Sequence, residues 1–241
     1  RDLSIMDSAN VGDSYTVTLV VTNGTLNVSG GSATIAGNGT ASVTLTGTKD
    51  AINATLGATV SYTPTANFNG SAELKMTTND GSNGDAMSDE DRFILTINAV
   101  NDAPVVTPST IASSYTENAA PVMANDMLTL SDVDSDNITG ATVKISSGLN
   151  ADDVLAFTNT SNISGSYDAS HGLLTLSGSA IKAEYQAALR AVTYSSSSEN
   201  PTATSASRTL TWQIDDGQTA NHASNSATST INITAVNDAP L

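Results

Sequence analysis

Hydrophobic and polar residues alternate in short runs along most of this chain. The runs are rich in Val, Ile, Leu, Thr and Tyr, and the clearest lie at residues 15–21, 41–45, 93–97, 173–176 and 209–214. Asn-Gly steps such as Asn23-Gly24 and Asn69-Gly70 separate runs of this kind. A period of two bounded by such steps predicts antiparallel strands and hairpins. Several short strands in each part of the chain favour an all-β sandwich or barrel.

Two segments have the spacing of a short helix instead. Each places apolar residues four apart after a hydroxyl residue that could cap the helix: Ile181, Tyr185 and Leu189 after Ser179, and Ile52 and Leu56 after Thr48. We predict one short helix or helical turn in each half, crossing between the sheets with a packing role.

The chain contains a long internal repeat. Ala-Val-Asn-Asp-Ala-Pro at residues 99–104 recurs unchanged at 235–240, an offset of 136 residues. Asp80-Gly81 and Asp216-Gly217 match at the same offset, and other matches keep the same order with small drifts. So long a period indicates whole domains. We therefore predict two tandem domains, residues 1–104 and 105–241, the first lacking an opening strand that residues upstream would supply.

Composition narrows the classes of function. Lys and Arg total 8 against 24 Asp and Glu among 241 residues, giving a net charge of -16. That field repels nucleic acid and anionic lipid and attracts cations. No apolar run reaches the roughly 20 residues of a membrane helix, and the chain has no signal-peptide pattern and no cysteine. We expect no nucleic-acid partner and no membrane insertion.

The densest acidic segment is Asp132-Val133-Asp134-Ser135-Asp136-Asn137. Alternate acids in a loop can turn their oxygens to one centre, and Ca²⁺ takes six to eight oxygen ligands. A solvated acidic turn is the competing interpretation. An EF-hand is excluded, because its sixth and twelfth positions would be Asn137 and Val143, not Gly and Glu. Other segments would have to complete a calcium shell.

Further acids stand near the ends of the repeats. They are Glu117, the pair Asp215-Asp216, and the steps Asn101-Asp102 and Asn237-Asp238, each followed by Ala-Pro. Carboxylates gathered at a domain boundary repel one another unless a cation lies between them, which motivates an interdomain metal site.

These segments resemble a known family. Residues 62–64 and 67–70, together with both Ala-Val-Asn-Asp-Ala-Pro ends, resemble the cadherin-like tandem repeats of giant bacterial adhesins secreted by type I systems, the RTX-like adhesins. The resemblance implies tandem Ig/cadherin-like antiparallel β-sandwiches stiffened by Ca²⁺. It also implies an extracellular place on the bacterial cell surface and a role in cell adhesion, aggregation or biofilm.

By analogy with cadherins, the resemblance also implies a ligand set for the metal. Asn101 and Asp102 of the linker would act with Asp132 and Asp134 of the next repeat and with Asp215 or Asp216. Asp136 of the acidic loop is a further candidate ligand. Glu117 would act with Asn237 and Asp238 toward a following repeat. The first repeat departs from this pattern, because Asp7-Ser8-Ala9 has lost the second acid. Asp89 and Asp91 are a weak substitute, since their counterparts are Asn225 and Ala227.

An enzyme is not expected. The chain has no Gly-x-Ser-x-Gly elbow, no zinc-protease motif and no phosphate loop. His171 and His222 stand alone in polar stretches and are predicted to be exposed, whereas Trp212 is predicted to be core. Partners would be neighbouring repeats of the same protein, with surface ligands or self-association as further partners. Two alternatives remain open: a glycan- or protein-binding module, and a subunit of a self-assembled filament or surface layer.

Overall fold

The structure is a computed structural model that describes residues 3–6, 14–81 and 88–238. By its internal contacts the chain divides into unit 1, Arg1–Val100, and unit 2, Asn101–Leu241. The repeat had placed the boundary after Pro104. No helix among the described residues is long and apolar enough to cross a membrane.

Unit 1 is built from seven described strands and one helix. In chain order they are β1 Tyr15–Val21, β2 Gly24–Ser29, β3 Thr34–Ala36, β4 Ser42–Gly47, α1 Lys49–Leu56, β5 Thr59–Pro64, β6 Gly70–Asn79 and β7 Ser88–Ile97. The larger sheet has the order β3-β4-β1-β6-β7, and β2 pairs with β5 in a second sheet. All of these pairs are antiparallel.

Unit 2 repeats this order and extends it. Its elements are β8 Val105–Thr107, β9 Ser113–Thr116, β10 Val122–Met123, β11 Thr129–Ser131, β12 Asn137–Ser147, β13 Asp153–Ala156, β14 Ser164–Asp168, β15 Leu173–Ile181, α2 Lys182–Arg190, β16 Thr193–Ser196, β17 Ser207–Asp215 and β18 Ala227–Thr234. The sheets are β14-β15-β12-β17-β18-β9, β10-β16-β13 and β11-β8. The β9–β18 pair is parallel, and the other described pairs in the unit are antiparallel.

The alternating pattern forms strands because each places every second side chain in a core. Along β1, Tyr15, Val17, Leu19 and Val21 are buried and the residues between them are partly exposed. Each unit has one cluster of buried residues that draws on the facing sheets of that unit, two in unit 1 and three in unit 2, which makes it a sandwich. The predicted all-β fold is confirmed, and so is the core position of Trp212, which is fully buried.

The predicted hairpins at the two Asn-Gly steps are wrong. Asn23 does adopt a left-handed conformation, with φ of 54°, but β1 pairs with β4 and β6 whereas β2 pairs with β5. The step at Asn69-Gly70 likewise joins β5 of one sheet to β6 of the other. Both turns carry the chain across the core, because each sheet needs the other to cover its apolar face.

The two helices lie where the spacing predicted them. Thr48 caps α1, because its Oγ1 accepts a hydrogen bond from the Ala51 N–H at 3.3 Å. Ser179 does not cap α2 as predicted. It lies inside β15, whose pairing with β12 continues to Ile181, so the helix begins at Lys182 without a side-chain cap.

Candidate metal centres

Strand pairing gathers one group of polar residues at the end of unit 2 where the chain enters it. We call Asn101, Asp102, Asp132, Asp134 and Asp216 the proximal cluster. The acidic loop lies between β11 and β12, and Asp216 directly follows β17. Because Gly140 of β12 pairs with Asp215 of β17, the acidic loop and the chain after β17 emerge at the same end of the sheet.

The entering chain is tied to this cluster through Asn101. Its Nδ2 donates to Asp216 Oδ2 at 2.8 Å and to the Ala220 carbonyl oxygen at 3.1 Å. Asn221 Nδ2 donates to the Asn101 carbonyl oxygen at 2.8 Å. The backbone N–H of Asp102 donates to Asp134 Oδ2 at 3.1 Å. Two loops of unit 2 therefore hold both linker residues that the sequence selected.

Asp132 occupies the inside of the acidic loop. Its Oδ1 accepts hydrogen bonds from the backbone N–H groups of Asp134 at 3.1 Å and Ser135 at 2.9 Å. Its Oδ2 is buried and has no hydrogen-bond partner among the described residues. Burial raises the pKa of the Asp132 carboxyl; the two N–H bonds oppose the rise, and the neighbouring Asp134 carboxylate adds to it. The site favours a cation or a proton at this oxygen.

Two acids selected from the sequence lie away from the proximal cluster. The Asp136 side chain is 96% exposed, and its Oδ1 lies 3.5 Å from Lys182 Nζ. Asp215 Oδ2 lies 2.8 Å from His222 Nδ1, and Asp215 Oδ1 accepts the Gly217 N–H. Of the pair Asp215-Asp216, Asp216 is the residue that the structure places with Asn101. His171 and His222 are exposed, as predicted.

A second group of acids gathers where the chain leaves unit 2. We call Glu117, Glu199 and Asp238 the distal cluster. Each contributes one carboxylate oxygen, and the three oxygens lie within 4.8 Å of one another. The parallel pairing of β9 with β18 sets Thr116 beside Thr234, which brings Glu117 to the segment that contains Asp238.

Glu117 is the buried member of the distal cluster. Its residue surface is 4% exposed, and Oε2 accepts the Val236 N–H at 2.7 Å. Its Oε1 is buried without a hydrogen-bond partner in the described parts of the chain. Buried carboxylate oxygens are nearly always paired, so this one points to a ligand. Asn237 lies beside the cluster but directs its amide to the Asp238 carbonyl oxygen at 3.3 Å.

Glu199 was not selected from the sequence. It stands in a Ser-rich loop between β16 and β17, where a single acid forms no pattern. In unit 1, Asp7 lies outside the described residues, and Asp89 and Asp91 lie exposed on β7.

The donors present fit a hard cation. The side-chain groups that meet in the two clusters are carboxylate and amide oxygens, the Ser135 hydroxyl and the amide nitrogen of Asn101, and no sulfur or imidazole takes part among the described residues. Such donors suit Ca²⁺ or Mg²⁺ better than zinc or copper. Two of these oxygens, Glu117 Oε1 and Asp132 Oδ2, are buried without a partner among the described residues.

Comparison with known proteins gives structural likeness without a sequence family. No family model matches the chain, and no curated protein matches it. Solved cadherin tandems are similar in structure. PcdhgB3 EC1-4 is 16% identical, over 94% of this chain and 46% of that chain, with a TM-score of 0.29. Protocadherin Gamma B7 cadherin domains 1-4 are 12% identical over 91% of this chain and 42% of that chain, with a TM-score of 0.34, and Drosophila N-cadherin EC1-4 is 12% identical over 88% and 42%, with a TM-score of 0.33. The chain spans less than half the length of each of these three structures.

Proposed function

We propose that this chain is a calcium-binding structural segment of a large extracellular bacterial adhesin. Ca²⁺ binds at the proximal and distal clusters of unit 2 and stiffens the chain where it enters and leaves that unit. The observation that carries the proposal is the buried Glu117 Oε1, which has no partner among the described residues. It belongs to a side chain that lies in one cluster with the carboxylates of Glu199 and Asp238.

The chemistry of that oxygen favours a cation. A carboxylate oxygen cannot donate a hydrogen bond, so a buried one needs a donor, a proton or a metal. Its neighbours in the distal cluster are two further carboxylates, which are acceptors only and repel it. A divalent cation with a preference for oxygen removes both penalties at once.

The positions of the clusters give the ion a mechanical role. β17 and β18 are antiparallel, with Ser207 beside Asn232 and Trp212 beside Ala227. Asp216, after β17, and Asp238, after β18, therefore lie toward opposite ends of the sheet. An ion at each end would hold the chain segment next to it, as a stalk of tandem repeats requires.

An extracellular location fits this use of calcium. Extracellular modules bind Ca²⁺ with dissociation constants of roughly 10⁻⁴–10⁻³ M, so their sites fill only where the ion is abundant. The chain has no cysteine, so disulfides do not stiffen it. The adhesive role of the parent protein comes from the resemblance to adhesin repeats and is part of the proposal.

The test compares thermal unfolding in excess EGTA and in millimolar Ca²⁺. At about 10 mM Ca²⁺, which is about 100 times a dissociation constant of roughly 10⁻⁴ M, one site adds about 2.7 kcal/mol, or roughly 10 °C in the midpoint of unit 2. Glu199→Gln should remove much of that gain. Glu184→Gln is the matched control and should keep the calcium-dependent gain. Glu184 is exposed, and its hydrogen-bond partner is Asn162, which belongs to neither cluster. Equal midpoints in EGTA and Ca²⁺ for the unchanged protein would rule the proposal out.

One observation favours the filament alternative. β7 pairs only with β6 among the described strands, and its core-facing Phe93, Leu95 and Ile97 are half-buried. The equivalent strand β18 is flanked by β17 and β9, and Ile231 and Ile233 are buried. An added strand at β7 would complete unit 1. Sedimentation of the purified chain over a wide concentration range would separate the two functions, because a filament subunit forms polymers and a stalk segment stays monomeric.

A further inference from the structure

Unit 2 contains a fully buried ion pair, one member of which, Arg208, follows the Glu199 loop directly in sequence. Arg208 and Asp153 are 0% and 1% exposed, and Arg208 Nε lies 2.5 Å from Asp153 Oδ2. Tyr194 Oη also donates to Asp153 Oδ1 at 2.7 Å. Burying such a pair is costly, and apolar residues of similar size often serve stability as well. The other hydrogen bonds of the two residues therefore indicate what the pair does for the structure.

Arg208 holds the loop that contains Glu199. Its Nη2 donates to the Pro201 carbonyl oxygen at 2.7 Å, and its Nη1 donates to the Ser205 carbonyl oxygen at 2.8 Å. Both carbonyls belong to residues 197–206, the connection between β16 and β17. Pro201 is buried and lies two residues after the exposed Glu199. The planar guanidinium thus fixes the loop from inside while its paired carboxylate fixes the guanidinium.

The start of the same loop is fixed by Tyr115. Its Oη donates to the Ser196 carbonyl oxygen at 2.8 Å. Its ring meets Tyr194 edge to face, with centroids 5.2 Å apart. Tyr115 belongs to β9, two residues before Glu117. One buried network therefore supports both Glu117 and Glu199 of the distal cluster.

We propose that the buried network formed by the Arg208–Asp153 pair and Tyr115 is a positioning element for the distal cluster, holding the Glu199 carboxylate beside Glu117 before a cation binds. The inference rests on the proposed calcium function. Three carboxylates that repel one another would otherwise separate. Glu199 and Asp238 are both exposed, and Glu199 is the one whose loop the buried network holds. Holding it in place means that the ion does not have to order the loop, and pre-ordering of this kind raises affinity.

The experiment measures Ca²⁺ affinity of the distal cluster by calorimetry. All proteins carry Asp132→Asn and Asp134→Asn, so that the proximal cluster does not contribute. Arg208→Lys keeps the charge but cannot span two carbonyls and a carboxylate with one planar group, and it should weaken binding about tenfold. Tyr115→Phe removes the single bond to Ser196 and should weaken binding by a smaller factor, about threefold to fivefold. If the lysine variant does not fold, the phenylalanine variant decides alone.

Two comparisons separate the possible failures. Leu210→Ala removes a fully buried neighbour on β17 that does not hold the loop, so it should lower the unfolding midpoint without changing Ca²⁺ affinity. Equal weakening by Leu210→Ala would make the effect one of general stability and would overturn the inference. Unchanged affinity in both Arg208→Lys and Tyr115→Phe would also overturn it, with the calcium function intact provided that Glu199→Gln abolishes binding. If Glu199→Gln changes nothing, the proposed function itself fails.

Discussion

At the residue scale, the same arrangement occurs in both clusters: one carboxylate oxygen is fixed by backbone N–H groups and the other is buried without a partner. Asp132 accepts two N–H groups at Oδ1, and Glu117 accepts one at Oε2. Their other oxygens have no hydrogen-bond partner among the described residues. A carboxylate anchored in this way cannot turn its free oxygen to water without breaking the anchoring bonds. Without a ligand the buried oxygen lowers the stability of the folded state, and a bound cation would remove that cost.

This reasoning predicts that Asp132→Asn has opposite effects in two buffers. Asn keeps an oxygen for the two N–H bonds and replaces the buried Oδ2 with a donor. In EGTA the unfolding midpoint should rise by a few degrees, because a buried charge beside Asp134 is removed. In millimolar Ca²⁺ it should fall below that of the unchanged protein, because a ligand is lost. Calorimetric melting in both buffers measures this.

The matched control for that variant is Asp136→Asn. Asp136 belongs to the same loop, but its side chain is 96% exposed and faces Lys182. Its removal should shift the midpoint by the same small amount with and without calcium. A shift of Asp132→Asn in the same direction in both buffers would contradict the assignment of Asp132 to a cation site.

At the element scale, strand pairing decides which acids meet, and this is where sequence reasoning succeeded in part. The alternation of apolar and polar residues predicted the strands because it is a local pattern. The repeated hexapeptide selected Asn101 and Asp238 because a repeat can be recognised from the sequence alone. Glu199 was missed because it meets Glu117 only through the fold of the loop between β16 and β17, whose start is bonded to Tyr115 of β9. The alternate spacing of acids in the acidic loop predicted that Asp136 would lie with Asp132 and Asp134. In the structure Asp136 pairs with Lys182 instead, and the sequence alone does not show that α2 begins at that lysine. The Asn-Gly steps were misread because a local turn does not show which sheet the next strand joins.

The helix termini give a prediction at the same scale. Thr48→Ala should lower the free energy of unfolding of unit 1 by about 1 kcal/mol, because it removes the side-chain bond to the Ala51 N–H. Ser179→Ala should change the stability of unit 2 by less than about 0.5 kcal/mol, because Ser179 lies in a strand and caps nothing. Urea unfolding measures both. A larger loss for Ser179 than for Thr48 would show that the α2 boundary is misplaced.

At the scale of the whole molecule, the net charge of -16 complicates any calcium experiment. Self-repulsion destabilises a strongly acidic chain, and any salt that screens it adds stability. A specific site must therefore be distinguished from general screening. Matching ionic strength with NaCl removes the screening contribution, and a comparison with Mg²⁺ tests whether the larger, more flexible coordination of Ca²⁺ is required.

Limited proteolysis of the linker isolates the proposed mechanical role. Val100 is 74% exposed and directly precedes Asn101, so elastase should cut there when the linker is loose. Asn101 and Asp102 are tied to Asp216 and Asp134, and an ion in the proximal cluster would reinforce those ties. We expect cleavage into two unit-sized fragments to be roughly tenfold slower in Ca²⁺ than in EGTA at equal ionic strength.

Two variants make the proteolysis result specific. Asp134→Asn should lose the protection, whereas Asp136→Asn should keep it, although both remove one acid from the same loop. Equal cleavage rates in Ca²⁺ and EGTA, with both units still folded by circular dichroism, would show that calcium does not hold the linker. Unit 2 could then still bind calcium at the distal cluster, but the ion could not stiffen the chain where it enters that unit, and the stalk mechanism would fail at this linker.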